Sequence, residues 1–125
     1  MTLVRVILTK LARLFSRGPF ARAKDHVERG NELSNAGDYH RAIESYDRAI
    51  ALDEGYAEAY KFRGDAYRDL GQADLAIADY TEAIRLNPEY DAAYNNRGNA
   101  YRNLEKYDLA IADYTESIEL DPEYA

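Results

Sequence analysis

Nine residues recur unchanged thirty-four positions apart in this chain: residues 74–82 and 108–116 both read DLAIADYTE. A looser copy begins at His40, which lies the same distance upstream of Asp74. The sequence therefore divides into three units of equal length, residues 23–56, 57–90 and 91–124. Self-similarity at a fixed period of this size indicates a stacked array, in which each unit buries its apolar face only against its neighbours.

Charge is unevenly distributed along the chain. Residues 1–22 hold five Lys or Arg and no acid, whereas residues 23–125 hold 11 Lys or Arg and all 23 Asp and Glu. Because phosphate binding needs a basic surface, we do not expect the acidic array to bind nucleic acid. The absence of cysteine excludes disulfides and thiolate metal sites.

Residues 1–22 are predicted to form a basic amphipathic helix and a linker, separate from an array over residues 23–125. Apolar residues recur at helical spacing on one face of residues 2–17: Leu3, Val4, Ile7, Leu8, Leu11, Leu14 and Phe15. This helix is too short and too charged to span a bilayer, which takes roughly 20 apolar residues. Three roles remain open: a cover for the first unit, a membrane-surface anchor or a targeting segment.

Each unit reads as two helices joined by a tight turn. In the second unit the pattern predicts helices over residues 57–70 and 73–86, with the turn at Gly71 and Gln72 between them. Glycine permits the left-handed backbone that closes a helix, and Pro88 cannot continue one. The chain is therefore predicted to be all-α, with three helical hairpins.

The units share small and aromatic residues at fixed places. In the second unit these are Tyr60, Gly64, Tyr67, Ala76, Tyr80, Ala83 and Pro88, and in the third they are Tyr94, Gly98, Tyr101, Ala110, Tyr114, Ser117 and Pro122. This pattern resembles the tetratricopeptide repeat family. The resemblance implies a right-handed α-solenoid of three helix-turn-helix repeats, here preceded by the amphipathic N-terminal helix.

Arginine precedes the glycine of each unit, where the family usually has leucine. An arginine between helices needs a partner, because an unpaired buried charge is costly. Asp79 and Asp113 lie in the facing helices of units two and three. We therefore predict ion pairs from Arg63 to Asp79 and from Arg97 to Asp113.

The resemblance also implies a concave groove lined by the first helix of each unit. Asparagine is a poor helix former, yet four asparagines fall within nine residues of the third unit. An amide both donates and accepts hydrogen bonds, which suits an extended peptide backbone. The predicted peptide-binding groove comprises Asn31, Lys61, Phe62, Asp65, Arg68, Asn95, Asn96, Asn99, Arg102 and Asn103. A solvated polar face without a ligand is the alternative.

Some members of this family hold the C-terminal carboxylate of a chaperone tail with a clamp of lysine, asparagine and arginine. When that pattern is laid over the chain from the first unit, only Asn31 fits, and Val27, Phe62, Ala92 and Asn96 occupy the other positions. When it starts in the second unit, Lys61 and Asn96 fit but Asp65 opposes it. We therefore predict that the groove does not capture such tails.

Functional expectations follow from these patterns. We expect no enzyme, because the isolated glycines form no phosphate loop and His26 and His40 have no catalytic partners in the sequence. We expect no cofactor and no metal. The predicted function is a protein-protein interaction scaffold in the cytoplasm, binding a partner peptide or helix in its groove.

Two alternatives to that function remain open. Residues 1–17 could tether the chain to the membrane periphery as a scaffold. The far end of the array could instead self-associate into a homo-oligomer, because Ile111, Ala112, Ile118 and Leu120 are expected to be partly uncovered.

Overall fold

The computed structural model describes residues 2–16 and 22–121, with side chains described for residues 2–11 and 22–121. Every regular element in these residues is helical, and none is a strand. The helices are α1 (Thr2–Ser16), α2 (Ala23–Asn35), α3 (Tyr39–Leu52), α4 (Ala57–Asp69), α5 (Ala73–Leu86), α6 (Asp91–Asn103) and α7 (Tyr107–Leu120). In the second unit α5 matches its predicted bounds, whereas α4 ends one residue before the predicted Leu70 because that residue already belongs to the turn.

The turns within the hairpins need a left-handed residue. Gly37 and Gly71 supply it with φ of 81° and 78°. In the third hairpin Glu105 stands at the same place with φ of 59°, although a side chain disfavours this conformation. The third hairpin therefore keeps the turn geometry at the expense of local strain.

The hairpins stack so that the first helices lie on the inside of a curve. Each hairpin packs its two helices together, and each second helix packs on the first helix of the next hairpin. The first helices also approach one another, α2 beside α4 and α4 beside α6, whereas the second helices α3, α5 and α7 do not. The concave side of the described array is therefore lined by α2, α4 and α6.

Tyrosine and alanine fill the spaces between the helices. Among the residues whose side chains the structure describes, Tyr46 and Tyr80 are the largest that are fully buried, and alanines such as Ala42, Ala76 and Ala83 are also fully buried. Burial of a large side chain contributes about 2 to 3 kcal/mol to stability. The small alanines let the helices come close enough for the tyrosine rings to bridge them.

Glycine is required where the second helix crosses the first. A Cβ atom added to Gly64 would lie 2.9 Å from Cε1 of Tyr80 and 3.2 Å from the carbonyl oxygen of Ala76. A Cβ atom added to Gly98 would likewise lie 2.8 Å from Cε1 of Tyr114 and 3.2 Å from the carbonyl oxygen of Ala110. The second helix therefore approaches the first too closely for a side chain at Gly64 or Gly98.

Both predicted ion pairs are present in the structure. Arg63 donates through Nε and Nη2 to the two oxygens of Asp79 at 2.8 and 2.7 Å. Arg97 binds Asp113 with the same two-pronged geometry, and both distances are 2.8 Å. Asp79 and Asp113 are buried, so this pairing satisfies carboxylates that would otherwise destabilise the fold.

Each of these arginines also reaches back to the preceding hairpin through Nη1. Arg63 meets Asp47 at 2.8 Å, whereas Arg97 meets the hydroxyl of Thr81 at 3.2 Å. The arginine therefore joins three helices, and its third partner is charged in one repeat and neutral in the next.

The outer face of α7 differs from the equivalent faces of α3 and α5. Ile111 and Ile118 are 61% and 43% exposed, whereas Ile77 and Ile84 of α5 are half-buried. The expectation of uncovered apolar residues holds for Ile111, Ala112 and Ile118, which are exposed, and for Leu120, which is half-buried. Among the described residues, no helix packs on this face of α7 as α6 packs on α5.

Helix α1 makes no contact with α2 to α7 within the described residues. Its apolar side chains are exposed: Leu3, Val4, Val6, Ile7, Leu8 and Leu11. The structure therefore does not show α1 as the cover of the first repeat, which was one of its three predicted roles. The described helices include none with the length and apolar character needed to cross a membrane.

Candidate functional site

The floor of the concave groove is built by tyrosines that come from the second helices. The ring of each tyrosine lies against the glycine of its own first helix, and its hydroxyl emerges beside the residue that follows that glycine. Tyr46 donates to Oδ1 of Asn31 at 2.7 Å, and Tyr114 donates to Oδ1 of Asn99 at 2.6 Å. Tyr80 donates in the same way to Oδ1 of Asp65. We call Asn31, Asp65 and Asn99 the groove column.

The two asparagines of the groove column present donors. Because Oδ1 accepts the tyrosine hydroxyl, the remaining hydrogen-bonding group of Asn31 and Asn99 is the NH₂ group. Neither NH₂ group bonds to another residue in the described part of the chain. Each side chain is therefore held from behind and can donate to a carbonyl or carboxylate oxygen in the groove.

Asp65 has a different surrounding, which we call the Asp65 cluster: Asp65, Lys61, Tyr80 and Asn96. Lys61 Nζ lies 3.1 Å from Oδ2 of Asp65, and Asn96 Nδ2 donates to Oδ1 at 3.0 Å. Arg68 adds a longer ion pair at 3.7 Å. The carboxylate is thus satisfied on both oxygens by donors from α4, α5 and α6.

Burial shifts the pKa of tyrosines beneath the groove. It raises the pKa of Tyr46 to about 12, and the negative charge of Asp65 acts in the same direction. Burial also raises the pKa of Tyr80, with further contributions from the charge of Asp65 and from the hydrogen bond to it. Both hydroxyls therefore remain protonated donors at neutral pH.

Two cavities follow one another along the groove. The cavity between the first and second repeats has a volume of about 400 Å³, and its walls include Asn31, Phe62, Asp65 and Arg68. The second cavity lies against the third repeat and has a volume of about 490 Å³. It is lined by Lys61 of the second repeat and by seven residues of the third: Asp91, Ala92, Asn95, Asn96, Tyr114, Ser117 and Ile118. The Asp65 cluster lies where the two cavities meet, because it contributes residues to both.

The predicted groove residues separate into two groups. Seven line one of the two cavities, and Asn99 belongs to the groove column that supports them: Asn31, Lys61, Phe62, Asp65, Arg68, Asn95, Asn96 and Asn99. Arg102 and Asn103 are exposed and line neither cavity. The prediction that these ten residues bind a peptide stays a prediction.

Sequence reasoning did not place the tyrosines in the groove. Tyr46 and Tyr114 line the cavities although they belong to the second helices, and the predicted groove contains neither of them. The signal was present in the sequence, since each tyrosine lies fifteen residues after the polar residue that follows the glycine. Phe62 completes this floor. Its ring stacks on that of Tyr46 with 6.1 Å between the ring centres, and Lys61 Nζ lies 4.5 Å from the centre of the Phe62 ring.

Comparison with protein families gives matches along the array. Family models described as tetratricopeptide repeat match residues 27–83 and 92–124, and one described as TPR repeat matches residues 64–104. No curated protein matches the chain at a significant level.

Solved structures resemble the chain over most of its length. The second TPR of Spaghetti (RPAP3), bound to the HSP90 peptide SRMEEVD, is 35% identical with a TM-score of 0.78, and the match covers 80% of this chain and 93% of that one. The second TPR domain of human RPAP3, in complex with the HSP70 peptide SGPTIEEVD, is 36% identical with a TM-score of 0.78, covering 84% and 88%. The TPR domain of Arabidopsis OM64 is 28% identical with a TM-score of 0.81, covering 85% and 88%.

These similarities agree with the geometry of the molecule. The stacked hairpins confirm the predicted α-solenoid, and the neighbours with the same architecture are TPR domains. Family matches from residue 27 to residue 124, together with solved relatives above 30% identity, show that this chain belongs to the tetratricopeptide repeat family.

Proposed function

We propose that this protein is a non-enzymatic interaction module that binds an extended segment of a partner protein in the groove lined by α2, α4 and α6. One observation carries the proposal: Asn31 and Asn99 are oriented by tyrosine hydroxyls from behind and keep their NH₂ groups for a ligand. Preorganised amides bind a peptide backbone at a low entropic cost, because little side-chain freedom is left to lose.

The neighbours support a peptide as the class of ligand. Three of the similar structures hold chaperone peptides that end in EEVD. In this chain Val27, Phe62 and Ala92 occupy positions where the carboxylate clamp of such relatives needs polar or charged residues. We therefore keep the prediction that the natural partner is a different segment, one with few acidic side chains.

Binding to a phage-displayed library of extended peptides tests this function. The variant Asn95→Ala/Asn96→Ala/Asn99→Ala removes the amides around the larger cavity, and we expect it to lose at least about ten-fold in affinity for peptides selected by the wild type. Asn87→Ala is the control, because Asn87 is an exposed asparagine between α5 and α6, outside the predicted groove and both cavities. Equal binding by wild type and triple variant would show that the groove amides are not the site.

A second candidate function is attachment to a membrane surface through α1. The six exposed apolar side chains of α1 occur together with Arg5 and Lys10, and α1 carries no acid in its first turn. Such a helix binds an anionic bilayer by burying its apolar face and placing its cations at the headgroups. Sedimentation with anionic liposomes is expected for the wild type and reduced for Leu3→Ser/Ile7→Ser, with Leu109→Ser in α7 as the control. Sedimentation of all three to the same extent would rule α1 out as the anchor.

Self-association is the third candidate, and it concerns the outer face of α7. The exposed Ile111 and Ile118 correspond to residues that a following helix covers in the other repeats, so a second copy of the chain could cover them. Light scattering at increasing concentration is expected to show a dimer that Ile111→Ser abolishes. A monomer throughout the accessible range of concentration would exclude this candidate.

A further inference from the structure

Asp65 is the member of the groove column that differs in residue type from the other two. The first and third repeats place asparagine after the glycine, and the second places aspartate. All three accept the hydroxyl of the tyrosine beneath them. Only at Asp65 do further donors converge within the described groove: Lys61, Asn96 and Arg68.

The donors around Asp65 are of the kind that binds a carboxylate. A lysine ammonium, an amide NH₂ and a guanidinium are the groups that recognise the acidic side chain or C-terminus of a peptide. Lys61 is held closely, because its side chain is only 16% exposed and its Nζ lies between Asp65 Oδ2 and the ring of Phe62. The chain therefore places its own carboxylate where these donors meet.

We propose that Asp65 is the specificity-determining residue of the groove. Its carboxylate occupies Lys61 and Asn96 and so excludes partners that present a carboxylate at the junction of the two cavities. An acidic ligand would have to break the Lys61 ion pair and lie beside a second negative charge, and both steps oppose binding. The groove consequently selects an extended segment that is neutral at this point, with Asn31 and Asn99 donating on either side. This inference rests on the proposed peptide-binding function.

Asp65→Asn is the variant that tests this inference. The change makes the groove column Asn-Asn-Asn, and the first and third repeats show that asparagine accepts the tyrosine hydroxyl at this place. It also removes one negative charge and releases Lys61 from its ion pair. The probe is the peptide SRMEEVD, measured by calorimetry, with the second TPR of Spaghetti as the positive control because that domain holds this peptide.

We expect the wild type to bind SRMEEVD weakly or not at all and Asp65→Asn to bind it about ten-fold or more tightly. Glu44→Gln is the control: Glu44 is an exposed residue of α3 outside both cavities, so the substitution changes the net charge equally but leaves the Lys61 ion pair intact, and we expect no gain. Adding Lys61→Met to Asp65→Asn should abolish the gain, because Lys61 is the cation that the substitution releases.

Two results would overturn the inference. One is micromolar binding of SRMEEVD by the wild type, which needs no variant to fold. The other is a folded Asp65→Asn protein, judged by circular dichroism, that gains no affinity or gains no more than Glu44→Gln. Either result overturns the inference alone if library peptides still bind the wild type and do not bind the variant Asn95→Ala/Asn96→Ala/Asn99→Ala. In that case the proposed function would stand.

Discussion

The second and third repeats carry the same nine-residue sequence in α5 and α7, yet the structure gives these residues different surroundings. Tyr80 is fully buried, whereas Tyr114 at the equivalent position is half-buried. The difference arises because α6 packs on α5, and no helix of the described chain packs on α7 in that way. Identical residues in an array therefore contribute unequally to stability, since each contribution depends on the neighbouring unit.

The first helices of these two repeats differ in their sequences as well. The second repeat places Asp65 in the groove and Gly71 in its turn, where the third repeat places Asn99 and Glu105. The helix-packing residues, by contrast, agree between the copies, as Gly64 with Gly98 and Asp79 with Asp113 do. Packing demands constrain the residues that agree, whereas the groove and turn positions are free to carry a repeat's individual role.

The largest expected difference between the repeats concerns their tyrosines. Tyr80→Ala should lower the free energy of unfolding by about 3 to 5 kcal/mol, because it leaves a cavity at a fully buried site. Tyr114→Ala should cost less, since that ring is already partly in contact with solvent. Urea unfolding followed by circular dichroism measures both values. Equal losses would mean that α7 is covered in solution to the same extent as α5.

The ion pairs should also respond unequally. Asp113→Asn leaves Arg97 without a carboxylate, since its other partners in the described chain are the Thr81 hydroxyl and the rings of Tyr94 and Tyr101. Asp79→Asn leaves Arg63 its ion pair with Asp47. We expect the free energy of unfolding to fall by about 1 to 3 kcal/mol in both variants. The decrease should be larger for Asp113→Asn, because a guanidinium between helices without a carboxylate is poorly satisfied. The ranking is read from the same unfolding curves, and a reversed order would argue against a role for Asp47.

High pH provides a third comparison. The raised pKa of Tyr80 means that its contribution to stability is fully present below about pH 10, the value in the unfolded chain, and is lost as pH rises further. Tyr80→Phe should cost about 1 kcal/mol at pH 7 through the lost hydrogen bond to Asp65 and should reduce the alkaline loss. Unfolding at pH 7 and pH 11 tests this, with the exposed Tyr107→Phe as the control. If Tyr80→Phe left the pH dependence unchanged, the alkaline loss of stability would not come from Tyr80.

A substitution in the turn of the third repeat should stabilise the protein. Glu105 has a positive φ that glycine adopts freely, as Gly71 does in the second repeat. Glu105→Gly should therefore raise the free energy of unfolding by up to about 1 kcal/mol. Thermal melting measures the gain, and Gly71→Glu should produce a loss of similar size. A melting temperature lowered by Glu105→Gly would show that the glutamate side chain stabilises the turn.

Much of the fold could be predicted before any coordinates. The thirty-four-residue period, the glycine and proline stops and the tyrosine spacing indicated stacked helical hairpins, because each pattern reflects a local or nearest-neighbour requirement. The Arg63 to Asp79 and Arg97 to Asp113 pairs were also predictable, since an arginine beside the packing glycine must face the second helix of its own hairpin.

The candidate site was predicted less completely. Seven of the ten predicted groove residues line one of the two cavities, whereas Arg102 and Asn103 line neither, and peptide binding by these ten residues stays a prediction. Arg102 and Asn103 belong to the last turn of α6, beyond the point that the cavity walls reach. Helical spacing gives the direction of a side chain but not where a concave surface ends.

The sequence by itself determined the architecture of this protein, because a repeated hairpin with glycine, alanine and tyrosine at fixed places has one efficient way to bury its apolar face. Only the tertiary structure showed which hydrogen bonds and ion pairs form in the groove. A spacing of fifteen residues relates each tyrosine to its groove residue, but the hydroxyl contacts to Asn31 and Asn99 also depend on rotamers and helix crossings. The donors from three helices that meet at Asp65 depend on them in the same way. Hydrogen bonds act over about 3 Å, so the identity of these partners follows from the packed coordinates rather than from the repeat.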